Sequence, residues 1–427
     1  MTTNAGPAYS VVKLGHVFGS CINASGQVAF NTGNGIGATA YFYNGAQFQN
    51  LGTLGGAGAS ANGINDYGQV VGISNLAGRG SSTLLPKMPM RGTPGFSLGS
   101  TCLPMQSSLS NRKGALAGNS ITVDSIGDGP SSVFLWTPTK GMVNLGTLNG
   151  GYPWPFGINN AGEVIGMSFT LGSNSTQGFY ASVASGMIDM GAASGVTATP
   201  VDINNSGQVA GGAATASGLS YAFLWTKAGG MVSLGGLGSD TNSMATAINN
   251  KGQVVGASIN ANGVAHWFSW TAVGGMIDLG AAMAYPFPFL PAVNDLGQVM
   301  LPPSSIWTSA GGKVDIGSLG GGNTTAAAIN NLGQVFGSTN DEFGRTRAFV
   351  WTSAGGMVDL NTPGMPVDTP LQNAITIADN GSILATSSGG VTYLLAPNAR
   401  RITWPQSESF LQRSPFQRPA PGNLVFP

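Results

Sequence analysis

The stretch Ile248-Asn249-Asn250-Lys251-Gly252-Gln253-Val254, INNKGQV, decides how this chain folds. An apolar residue leads into an Asn whose side chain can turn back onto the backbone. A Gly then supplies the positive φ that closes the bend, and apolar alternation resumes at Gln-Val, so the stretch is a tight turn between two antiparallel strands. Working outward, the same turn recurs as INASGQV at Ile22, INDYGQV at Ile64, INNAGEV at Ile158, INNSGQV at Ile203, VNDLGQV at Val293 and INNLGQV at Ile329. Two weaker copies, SNRKGAL at Ser110 and IADNGSI at Ile377, bring the number to nine. The turn glycines are Gly26, Gly68, Gly114, Gly162, Gly207, Gly252, Gly297, Gly333 and Gly381, with one short interval between Gly297 and Gly333. The seven Asn residues that open the strong copies, Asn23 to Asn330, are expected to form turns and not to bind ligand.

Each turn is followed by three further strand-like runs: QVVGAS, then YAFLWT or RAFVWT, then GMVDLG, bounded by Gly, Ser or Thr. Four short strands repeated about every 45 residues predict an all-β chain closed into a β-propeller of eight or nine four-stranded blades, a β-solenoid being the alternative. The strand before each turn is rich in small residues, as in MATAIN ending at Asn249, which suits crowding around an axis. Phe134 and Trp136, Phe223 and Trp225, Phe268 and Trp270, and Phe349 and Trp351 alternate at period two and are expected to pack between blades. The propeller is expected over residues 1–397. Val11 to Gly15 matches the fourth strand of a unit and is expected to close the last blade, whose own fourth strand is missing. Residues 398–427 read as an extended Pro- and aromatic-rich tail, either disordered or an arm that docks on the ring or on a neighbouring subunit.

The motifs LGTLGG at Leu51, LGTLNGG at Leu145, YAFLWTKAGGMVSLGGLG at Tyr221, HWFSWTAVGGMIDLG at His266 and RAFVWTSAGGMVDL at Arg347 together resemble the HAF-repeat family, probable extracellular repeat proteins of bacteria. The resemblance covers nearly the whole chain and implies a repeat scaffold outside the cell or on its surface. It implies no catalytic residue, and the His of the HAF signature stands only at His266, with Ser132, Tyr221 and Arg347 in its place elsewhere.

Composition narrows the function classes. The 427 residues include 68 glycines, only 7% are charged, and the net charge is zero. Basic residues are scattered except for Arg400, Arg401, Arg413 and Arg418, so no basic stripe awaits nucleic acid. No apolar run is long enough to cross a membrane. The opening MTTNAGPAYS lacks the basic and apolar regions of a signal peptide, so export implies a leader outside this sequence. Cys21 and Cys102 are either one disulfide or two buried thiols.

Candidate site residues lie where the repeat breaks. Before two of the small-residue strands the chain reads Tyr152-Pro153-Trp154-Pro155-Phe156 and Tyr285-Pro286-Phe287-Pro288-Phe289. Alternating prolines hold these rings apart in an extended form, giving either a ligand-binding surface at the channel mouth or a plug for a wide channel. In the second unit the aromatic strand gives way to Leu85-Pro86-Lys87-Met88-Pro89-Met90-Arg91. Asp202, the one acid in an inner-strand position, and His266 are the candidate proton-transfer groups. One Asp per unit, in the turns (Asp66, Asp295, Asp379) or the fourth strands (Asp189, Asp278, Asp315, Asp359), predicts no metal site, and no cofactor motif is present. The expected activity is non-catalytic binding of a glycan, an apolar small molecule or a protein. The alternative is an enzyme for a largely apolar substrate held by the aromatic loops, and oligomerisation through the tail is a third expectation.

Overall fold

The computed structural model describes residues 9–33, 38–76, 114–116, 131–148, 153–169, 176–191, 195–282, 290–362 and 365–397. Eight sheets form, one per blade, all antiparallel; in six of them the four strands lie in consecutive order, and the second and eighth blades depart from it. The first blade comprises Phe18–Ile22, Val28–Thr32, Thr39–Tyr43 and Phe48–Asn50, and the fifth comprises Asn242–Ile248, Val254–Ile259, Ala265–Thr271 and Gly275–Ala281. In the eighth, Leu371–Ile377, Ile383–Ser387 and Thr392–Pro397 are completed by Tyr9–Gly15 from the other end of the chain, with Val11 opposite Leu395. The N-terminal strand thus closes the ring in the place where the sequence lacks a fourth strand.

The ring has eight blades, and the expected ninth unit at SNRKGAL is not one. Blade two takes its inner strands from Gly55–Asn65 and Val70–Leu76 and its outer strands from Ser131–Thr137 and Gly141–Gly146. Gly114–Leu116 adds a fifth strand on the axial edge of the innermost one, with Ala115 opposite Ile64. The segment between residues 76 and 131 is therefore an insertion that returns one strand to the inner edge of the blade. Its Leu85–Arg91 stretch lies outside the described residues.

The recurring turn explains how blades are joined. In blade five the Asn249 N–H donates to the Gln253 carbonyl and the Gly252 N–H to the Asn249 carbonyl, both at 3.0 Å, with Gly252 at φ +76°. This is a type I turn followed by a left-handed residue. The Asn249 side chain does two jobs. Its Oδ1 accepts from the Lys251 and Gln253 N–H groups, while its Nδ2 donates to Gln253 Oε1 and to the backbone carbonyl of Asn294 in blade six. The same cross-blade bond runs Asn23 to Asn65, Asn65 to Asn159, Asn159 to Asn204, Asn204 to Asn249, Asn294 to Asn330 and Asn330 to Ala378, all between 2.9 and 3.2 Å. Gln253 Oε1 in turn lies 3.3 Å from where a Cβ on Gly297 would stand, so the next turn's glycine both adopts positive φ and leaves room for this wedge.

One joint lacks the bond. Ala378 occupies the Asn position of blade eight and has no side-chain donor for Asn23, and blades eight and one meet through Ile22, Val28, Phe30, Leu384 and Leu394, with the Asn380 and Ser382 side chains against Gly26. Elsewhere the aromatic alternation fills the space between blades as expected. Phe134, Phe223, Phe268 and Phe349 are fully buried. The glycine of QVVGAS exists because of them: a Cβ on Gly256 would lie 2.8 Å from the Phe268 ring and 2.0 Å from the Met244 carbonyl.

Replacing Asn249 by Ala removes the acceptor for two turn N–H groups and the donor to Asn294 in a fully buried position. The expected cost is about 3 kcal/mol, read as a fall in the urea midpoint with little change in slope.

Candidate functional site

The turns of INNKGQV type lie on one face of the disc, called here the turn face. The connections between blades and the turns from second to third strand lie on the other, the connection face. The first aromatic departure leads into blade three from the connection face. Tyr152, Tyr285, Phe287 and Phe289 lie outside the described residues; Trp154 and Phe156 stand on the innermost strand of blade three, Pro153–Ile158. Prolines are tolerated in this strand because its axial edge needs no ladder partner. Phe156 is the extra residue of a bulge between Pro155 and Gly157. Trp154 is opposite Met167, and Met167 is opposite Gly178, so all three share one face. That face looks at blade four, since a Cβ on Gly178 would touch the Ala198 carbonyl and Pro200. The Trp154 ring packs edge-on against Phe169 at 4.7 Å, and its buried Nε1 has no hydrogen-bond partner.

Between blades three and four, on the connection face, is a cavity of about 460 Å³ lined by Gln177, Val196, Thr197, Thr215, Gly191 and Gly195, together with Ala214 and Ala216. None of these side chains is charged. Gln177 Oε1 is buried there without a hydrogen-bond partner. An orphaned buried acceptor beside a cavity of ligand size is the feature of a site that a donor from outside completes.

The structure separates the two candidate proton-transfer groups. Asp202 is 2% exposed, and its oxygens accept the Ile203 N–H at 2.8 Å and the Ile248 N–H of blade five at 2.9 Å. It ties two inner strands together next to the turn face. His266 stands on the third strand of blade five, opposite Ser258, which is opposite Ser243. From Ser243 to Ile248 is five residues along the inner strand, roughly 16 Å, and two strand spacings add about 10 Å sideways. Asp202 and His266 thus do not form one centre. His266 Nδ1 donates to Asp278 Oδ2 at 2.8 Å, a partly exposed pair near the connection face.

The acids weighed for metal have structural partners. Asp189, Asp278, Asp315 and Asp359 each accept a backbone N–H two residues on, capping the bend into the next blade. Among the described residues no group of three or more His, Cys, Asp or Glu side chains is placed to hold a metal ion. Cys21 is buried in blade one, with its thiol 3.7 Å from the Asn62 carbonyl, and Cys102 lies outside the described residues. No described helix is long and apolar enough to cross a membrane. Sequence reasoning missed Gln177, Thr197 and Thr215, which lie in connections and strand ends that carry no repeated character.

No family model and no curated protein matches the chain. Among solved structures it is similar to a virginiamycin B lyase from Staphylococcus aureus, at 11% identity and a TM-score of 0.37 over 91% of this chain and 99% of that one. It is also similar to the BP39L lectin from Burkholderia pseudomallei, at 10% and 0.35 over 82% and 97%. A third similarity is to a puromycin-hydrolyzing peptidase of Mycobacterium tuberculosis, at 10% and 0.36 over 90% of this chain and 50% of that one. Likeness at this level says nothing of this chain's chemistry.

Asp202→Ala orphans two buried backbone N–H groups, so it is expected to lower unfolding free energy by about 3 kcal/mol. Urea denaturation checks this; an unchanged midpoint would remove Asp202 from the inner-strand framework.

Proposed function

We propose that the protein is a non-catalytic binding protein that holds a neutral, hydroxyl-rich ligand, a glycan, on the connection face between blades three and four. The observation that carries this reading is the uncharged cavity in which Gln177 Oε1 is buried without a donor. A sugar hydroxyl supplies the missing donor, and Thr197 lines the same cavity with a hydroxyl that can donate or accept. Binding of neutral ligands suits a chain whose surface is polar with few charges. An extracellular or cell-surface setting belongs to the same proposal and rests on the HAF-type resemblance.

The enzyme alternative has one observation in its favour, the His266–Asp278 pair. Asp278 fixes Nδ1 of the ring and leaves Nε2 as its other acid-base position. Within the described residues no second candidate group from the sequence joins it.

Titration calorimetry with a panel of neutral oligosaccharides, followed by mass spectrometry of the recovered ligand, separates the two readings. The proposal predicts binding that Gln177→Leu weakens at least tenfold, with the ligand recovered unchanged. Ligand conversion lost in His266→Ala would favour the enzyme, and binding indifferent to Gln177→Leu would exclude this cavity.

A further inference from the structure

The turns from second to third strand repeat one backbone form in blades four, five, seven and eight, at residues 215–219, 260–264, 341–345 and 387–391. In each, the first residue's N–H donates to the fifth residue's carbonyl, and the fourth residue, a Gly at positive φ, donates to the first residue's carbonyl. Three of these turns carry no charge. Blade seven departs: its turn reads Asp341-Glu342-Phe343-Gly344-Arg345, and Phe343, 71% exposed, stands where the others have Ser217, Asn262 and Gly389. The tip is locked in place. Asp341 Oδ1 accepts the Phe343 and Arg345 N–H groups, and its Oδ2 accepts from Arg345 Nε at 2.8 Å and from Arg347 Nε at 3.1 Å. The Arg345 guanidinium lies over the Phe343 ring, 4.7 Å from its centroid. Glu342 leans the other way, against Gly320 of the innermost strand. An exposed ring held by a guanidinium, which is itself held by a buried carboxylate, loses little freedom on contact and is built as an interface anchor is.

The same face has a hole of matching chemistry at the same distance from the axis. Ala214, Thr215 and Ala216, which line the cavity between blades three and four, lead into and form blade four's copy of this turn. The cavity, of about 460 Å³, has room for a phenyl ring, and no charged side chain lines it. At its rim the Asp189 carboxylate accepts the N–H of Gly191, a wall residue, so an acid stands beside the hole as Arg345 stands beside the ring. Equal radius makes the match reciprocal. When two discs meet connection face to connection face about a two-fold axis midway between blade seven and the seam of blades three and four, each Phe343 falls over the other copy's cavity. The contact is then made twice.

We propose that two copies of this chain pair through their connection faces, each placing Phe343 in the other's cavity between blades three and four, with Arg345 against Asp189 at its rim. The pairing occupies the cavity that the glycan reading uses but does not rest on that reading. A phenyl ring gives Gln177 Oε1 no donor, so the pairing is weak, and a hydroxyl ligand that satisfies Gln177 displaces it. Self-association thus masks the cavity until a better-matched ligand competes for it.

Sedimentation velocity of the full chain, from about 10 to about 500 μM protein, tests this against two variants. Phe343→Ser copies the residue found at the equivalent turn of blade four, and Ala216→Trp fills the mouth of the cavity. Both positions are exposed, so the variants keep the fold, which an unchanged thermal midpoint of the diluted protein checks. The proposal predicts a wild-type mass that climbs with concentration from one chain toward two. In each variant the concentration at the midpoint of that rise is expected to move up at least tenfold. A wild type that stays monomeric across the range, or a dimer that either variant keeps, would overturn it. Phe343→Ser leaves the cavity open, so a glycan that binds wild type binds this variant at least as tightly, and the pairing and the glycan reading fail separately.

Discussion

The hydrogen bond from one turn's Asn side chain to the next turn's backbone carbonyl is what the rest of the ring depends on. It is buried, so its donor and acceptor would each cost free energy if left alone, and it crosses the seam between two sheets. Because the same Asn also accepts two N–H groups of its own turn, a blade cannot form its turn correctly without presenting the donor to its neighbour. The Gln that follows fills the space against the next glycine. Every fixed letter of I-N-x-x-G-Q-V therefore has a mechanical reason: apolar entrance, relay, positive φ with a missing Cβ, wedge, strand.

This arrangement divides the two faces of the disc. On the turn face the polar groups nearest the axis are committed to holding blades together, Asp202 included, and chemistry there would compete with stability. The connection face bears no such relay. Its segments differ from blade to blade, and it is there that an uncharged cavity with an unsatisfied Gln177 remains between blades three and four. Inner strands can carry Pro153, Pro155 and Pro200 because their axial edges are free of ladder partners, whereas blade two fills that edge with Gly114–Leu116.

Much of the fold was legible because the local and global patterns agree. Turn, strand alternation and the N-terminal closing strand could each be read from neighbouring residues. The blade count could not. SNRKGAL has the glycine at the right interval, and Gly118 even repeats the glycine of the following strand, but Ala115 stands in place of the wedge and Gly114–Leu116 lies on the edge of blade two. IADNGSI lacks both Asn and Gln, and yet its flanking strands make it a blade. The candidate site was less legible. Asp202 read as a channel acid because its two backbone donors come from its own bulge and from the next blade, which no local pattern records. One Asp per unit looked isolated along the chain, whereas a closed ring brings equivalent positions together around one axis.

The account holds that seven joints are tied by the Asn relay and that the joint between blades eight and one, where Ala378 stands in the Asn position, is held without it, by apolar contact and by the Asn380 and Ser382 side chains set against Gly26. Native-state hydrogen exchange resolved by blade tests this most directly. The turn amides Gly68, Gly207, Gly252 and Gly297 should exchange only through global unfolding, while Gly26 and Gly381 exchange through a smaller opening that Ala378→Asn suppresses. Equal protection at all eight turns, unaffected by Ala378→Asn, would contradict it.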